Sequence, residues 1–120
     1  MTMVDPKSII ELTLEVNRGD CLIVIHYRTN KLQRVCENAE VAAREYGVEM
    51  AERIQLRIDQ ISSADNVEQL VQYHIGRCHS LQGNRKGQYA MDLTHPYRLI
   101  FEKVNNNSVE VRIEEIVDYH

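Results

Sequence analysis

Residues 87–113 read GQYAMDLTHPYRLIFEKVNNNSVEVRI. Apolar side chains recur here at every second position, the period of a strand with one buried face. Tyr89, Met91 and Leu93 share one side of the first run, and Tyr97, Leu99 and Phe101 share one side of the second. Arg98 falls on the opposite side. In the third run Val109, Val111 and Ile113 point inward. His95–Pro96 reads as a turn, and the Asn-Asn-Asn-Ser stretch at 105–108 reads as a loop. The alternation slips at Glu114–Glu115, which predicts a bulge or a sharpened twist just before the chain's end.

Upstream the period changes. Thr29 or Asn30 can cap a helix, with Leu32, Val35, Cys36 and Ala39 at three-to-four spacing behind it. After Gly47, a stripe of Ala51, Ile54, Ile58 and Ile61 with Glu49, Glu52, Arg53 and Gln60 off it predicts an amphipathic helix. Residues 62–65 break it, and Asn66–Val71 supplies a further turn or two. At the start, SIIELTLEV and CLIVIHYR flank the turn-rich NRGD, so residues 8–28 read as a hairpin, although SIIELTLEV also fits a short helix. Helices followed by hairpin-connected strands give an α+β fold, a small antiparallel sheet packed against N-terminal helices with an extra hairpin in front.

With 120 residues the chain makes one domain. No run approaches the roughly 18 apolar residues of a membrane helix. Acidic residues occupy the N-terminus where a secretory signal has basic ones, so a cytoplasmic location is expected. Cys21, Cys36 and Cys78 are odd in number and widely spaced, which argues against a disulfide framework. His74, Cys78 and His79 lack the paired spacing of a zinc site, and no metal or other cofactor is expected.

The net charge of −4 is unfavourable for a binder of nucleic acid, whose affinity rests on neutralising phosphates. Its distribution is less so. From residue 77 to 103, Arg77, Arg85, Lys86, Arg98 and Lys103 face only Asp92 and Glu102, a local charge of +3. Within this basic segment His79 precedes the loop QGNRKG, which either brings backbone N–H groups and cations to an anion or is a solvated hairpin turn. Arg98, off the apolar face of its strand, either rims the sheet or enters a cleft. His95 and His26 read as structural or exposed.

Three motifs combine: H-x-L-x-G-x-R-x-G-x-Y from His79 to Tyr89, P-x-R-L-I-F from Pro96 to Phe101, and I-x-D-Y-H from Ile116 to His120. With the helical AAREYGVEMAERIQLRIDQI, they resemble the HigB toxins, or plasmid-maintenance killer proteins, of the RelE/ParE superfamily. The resemblance covers residues 24–120 and leaves 1–23 as an N-terminal extension. It implies the toxin of a type II toxin–antitoxin pair: a small RNase that cleaves mRNA on the ribosome and is silenced by a helix-turn-helix antitoxin, which alone contacts DNA.

By motif position, the resemblance makes His79, Asp118, Tyr119 and His120 the acid–base set and Arg98 the phosphate or transition-state contact. Arg85 and Lys86 match the basic loop that touches RNA. These residue types suit the chemistry. A base must take the 2′-hydroxyl proton, an acid must protonate the departing 5′ oxygen, and a cation must stabilise the crowded phosphorane. Histidine serves as either acid or base near neutrality. Gln82 stands where several members carry lysine, which removes either a phosphate contact or a proton donor from the RNA-binding loop. That change and the acidic balance leave a rival reading: a member that binds its antitoxin but cleaves too weakly to be toxic.

Overall fold

The computed structural model describes residues 22–118. Among these, β1 (Val24–Tyr27) leads into four helices: α1 (Asn30–Glu37), α2 (Ala39–Tyr46), α3 (Val48–Ser63) and α4 (Val67–Gln72). A 3₁₀ turn at Ile75–Arg77 precedes β2 (His79–Ser80), and a second at Gly83–Arg85 precedes β3 (Gln88–Asp92). Then come β4 (Tyr97–Val104) and β5 (Asn107–Asp118). The sheet order is β1-β5-β4-β3-β2. No described helix is long and apolar enough to cross a membrane.

Local chemistry accounts for the helix ends. Thr29 Oγ1 accepts from Leu32 N at 3.1 Å and starts α1. Asn38 Oδ1 then accepts from Glu40 N and Val41 N at 2.9 and 3.2 Å, so one extended residue ends α1 and caps α2. Ala39, expected on the buried stripe of α1, is exposed after this break, and Ala42 is buried instead. Along α3, Met50, Ala51, Ile54, Arg57 and Ile61 form the inner stripe. They pack on Met91, Leu99, Phe101, Val111 and Ile113 of the sheet, giving one core between helices and strands.

The bulge appears where the alternation slips. Ile100 pairs with Glu115 but Phe101 pairs with Ile113, so Glu114 is the extra residue. Two expectations are corrected. The sheet is mixed: β1 runs parallel to β5, Val24 opposite Glu110 and Tyr27 opposite Ile113, because four helices intervene between the two strands. The proposed hairpin partner of β1 lies outside the described residues. Val109 is 42% exposed rather than inward, since it lies near the β4–β5 turn, where a register shift between Lys103 and Val104 disturbs the alternation.

Candidate active site

The sheet has two faces, and cross-strand register assigns each side chain to one of them. Helices cover the face of Tyr89, Met91, Leu99 and Phe101. The other face carries three rows. His79, Ala90, Ile100 and Glu115 form one, and Asp92, Arg98 and Val117 the next. Gln88, Glu102, Arg112 and His26 form the third.

His79 is exposed, and its Nδ1 lies 2.8 Å from the carbonyl oxygen of Arg77. A carbonyl only accepts, so Nδ1 carries the proton, and in the neutral ring Nε2 keeps its lone pair. The adjacent Cys78 is buried in the core, where desolvation pushes its thiol up to about 12. This suits an inert apolar residue.

Arg98 meets the carboxylate of Asp92, Nε to Oδ1, at 3.4 Å. Arg77 meets the same carboxylate, Nε to Oδ2, at 2.8 Å. The main-chain carbonyl of Asp92 accepts from Nε of Arg57 at 2.6 Å, and Arg57 also donates to Gln60 Oε1 at 2.9 Å. Arg57 is buried, and desolvation lowers the pKa of its guanidinium. Arg57 was missed in the sequence, and Arg77 and Asp92 entered there only through the charge of the basic segment, not as site residues. A signal existed for Arg57, a cation at helical spacing inside the apolar stripe Ile54–Ile61.

In the loop, Gly83 and Gly87 adopt φ of +66° and +97°, which lets the chain turn tightly between β2 and β3. Gln82 and Lys86 are exposed there. Arg85 donates from Nη1 to Gln88 at 2.9 Å and to Glu115 at 2.8 Å. Its guanidinium therefore joins β3 to β5 across β4. The distal row is charge-matched: Arg112 binds Glu114 at 2.6 Å and Glu102 at 3.0 Å, and His26 lies 2.6 Å from Glu110. Burial and the neighbouring Glu114 together raise the pKa of Glu102, against the pull of Arg112.

The structure thus gathers His79, Arg98, Arg85, Arg77 and Asp92 on the sheet face away from the helices, around the buried Ala90 and Ile100. Asp118 pairs with Tyr97, and Arg98 with Val117, so register puts Asp118 and Arg98 on opposite faces of the ladder. Tyr119 and His120 lie outside the described residues.

A family model described as the RelE-like toxin of the type II toxin–antitoxin system HigB matches residues 25–120. No curated protein matches closely enough to count as a relative. Among solved structures, the chain is similar to the YoeB–YefM complex from Staphylococcus aureus, at 18% identity and a TM-score of 0.54. The YoeB dimer from the same organism gives 19% and 0.53. Each match covers 82% of this chain and 97% of the other. At such identities the likeness establishes the shared fold.

Proposed function

The chain belongs to the HigB-like family of RelE-like toxins of type II toxin–antitoxin systems, and from that premise we propose that it is an mRNA endonuclease acting on the ribosome. The observation that carries this reading is His79. Its ring is held through Nδ1 on the same sheet face as Arg98. Nε2 is then the atom that takes the 2′-hydroxyl proton. The 2′ oxygen attacks the adjacent phosphorus, a cyclic phosphate forms, and the 5′ oxygen departs with a proton from the acid partner. His120 is assigned as that acid and Tyr119 as the ring that stacks a base, while Asp118, on the face of the ladder away from Arg98, is assigned no contact with the reacting phosphate. Arg98 supplies a permanent charge for the phosphorane oxygens. Arg85 and Lys86, beside Gln82, contact the RNA backbone. This chemistry needs no metal ion or other cofactor.

Dependence on the ribosome follows from charge. Arg77, Arg85, Lys86 and Arg98 face Asp92 and Glu115 around His79, a modest local excess on a chain of net charge −4. Free RNA is then held weakly, and the ribosome supplies the positioning. Silencing is assigned to a small helix-turn-helix antitoxin encoded next door, through which the complex binds DNA. The structurally similar YoeB is seen in complex with YefM. On this reading residues 24–120 are the toxin domain and the cytoplasm is its site of action.

One observation favours a second reading, a binding-only member. Asp92 and Glu115 engage Arg98 and Arg85, and Gln82 adds no charge to the loop. Induced expression separates the two. The nuclease arrests growth, cuts ribosome-bound mRNA in primer extension and is relieved by the neighbouring gene. A binding-only member co-purifies with the antitoxin and arrests nothing.

A further inference from the structure

We propose that Arg77 is a second phosphate-binding residue of this site, forming with Arg98 a clamp whose spacing is set by Asp92. The inference rests on the RNA-cleaving reading and adds to it a residue that no motif marks.

Three observations meet at Arg77. Its side chain is 80% exposed yet tethered, with Nε 2.8 Å from Asp92 Oδ2. The other oxygen of that carboxylate is the one Arg98 approaches, at 3.4 Å, so a single anion stands between two guanidiniums. A guanidinium tethered through Nε still presents donors on its Nη side, the geometry suited to a tetrahedral anion.

The second observation is the backbone. His74, Gly76 and Arg77 have φ of 54°, 58° and 57°. The left-handed region suits glycine, and an arginine there is strained. This strained turn is exposed at Arg77 and sets its guanidinium beside Asp92.

The third is the support beneath the turn. A Cβ at Gly76 would lie 2.7 Å from Nε of Arg57, so the turn is pressed against that guanidinium. The same Nε donates to the carbonyl of Asp92 at 2.6 Å. Arg57 thereby fixes the turn that presents Arg77 and the strand end that presents Asp92. The carbonyl of Arg77 in turn orients His79, so clamp and base are held by one turn.

Arg77→Gly is the informative variant, because glycine accepts the left-handed backbone and only the side chain is lost. Arg34→Ala, on α1 in the helical layer, makes the same change in net charge. Binding is read by fluorescence anisotropy on a short 2′-O-methyl oligonucleotide, which cannot be cleaved, over a series of salt concentrations. Arg77→Gly is expected to bind about 10-fold more weakly, with a salt slope lower by about 0.7, while melting no lower than the wild type. Arg34→Ala is expected to bind as the wild type.

Equal binding by Arg77→Gly and wild type, or equal loss in Arg77→Gly and Arg34→Ala, would overturn the assignment. So would recovery of wild-type affinity in Arg77→Gly/Asp92→Asn, since Arg77 would then serve only to neutralise Asp92. A wild-type chain that binds the oligonucleotide at no salt concentration and cuts no ribosome-bound mRNA would instead overturn the RNA reading itself.

Discussion

Arg57 on α3 donates from Nε to the carbonyl oxygen of Asp92 at 2.6 Å, and the same guanidinium lies under Gly76. A buried cation in the helical layer therefore braces the two backbone segments that present Arg77 and Asp92 on the far side of the sheet. Replacing Arg57 by Met keeps an apolar stem but leaves the Asp92 carbonyl and Gln60 without their donor. The expected loss is about 2 kcal/mol, the scale of a buried hydrogen bond to a charged group, measured by urea denaturation.

Gly76→Ala should destabilise by about 1–3 kcal/mol, since its φ is 58° and the new methyl meets Arg57. In the Arg57→Met background the penalty should shrink, because the flexible thioether can move aside. A double-mutant cycle reads the difference. Strict additivity would mean that Gly76 and Arg57 do not press on each other.

Two carboxylates should tilt the stability–pH curve in opposite directions. Glu102 has its pKa raised above the ordinary 4.5, by burial first and then by Glu114. The folded chain holds that proton more tightly than the unfolded one, so stability falls as pH rises from 4.5 through the folded value. Glu68 is lowered, chiefly by its hydrogen bond from Lys103. Its contribution is present above 4.5 and is lost as pH falls through the folded value. Thermal melts of Glu102→Gln and Glu68→Gln against pH should flatten the upper and the lower window respectively.

Glu115 holds Arg85 at 2.8 Å, and both side chains are more than a third exposed. Such a pair contributes about 0–1 kcal/mol to stability, so Glu115→Gln should scarcely change the melt. It removes a negative charge beside the RNA-binding loop, however, and should tighten oligonucleotide binding several-fold at low salt, with a steeper salt slope. Unchanged affinity would remove Arg85 from the set of RNA contacts.

These contacts show where the sequence was readable. The strands of residues 88–118 were legible because one face is buried and the period of two survives in the letters, down to the slip at Glu114. The stripe of α3 was legible for the same reason at 3.6. Asn38 was harder, since its side chain competes with the helix backbone and splits one apolar pattern into α1 and α2. The parallel seat of β1 was not legible, because it depends on a partner some 86 residues away. At the site, His79, Arg85 and Arg98 were marked by motif spacing, whereas Asp92 joins Arg57, Arg77 and Arg98 only once α3, the 3₁₀ turn and two strands have come together. Motif spacing also hid that Asp118 and Arg98 lie on opposite faces of the ladder.

Removal of Asp118–His120 should abolish cleavage while costing little stability. Val111 and Ile113, which fill the core from β5, precede the cut, and Asp118 is exposed. Antitoxin binding should persist. A melting temperature that collapses together with cleavage would make the tail structural.

The central claim is tested most directly at His79, by primer extension on mRNA in a purified translation reaction containing the wild-type chain or His79→Ala. The wild type should cut ribosome-bound message and leave the same naked RNA almost intact. His79→Ala should cut roughly 10²- to 10⁴-fold more slowly, the worth of one general base, with an unchanged melting temperature. Cleavage by His79→Ala at the wild-type rate, or efficient wild-type cutting of naked RNA at physiological salt, would contradict the account.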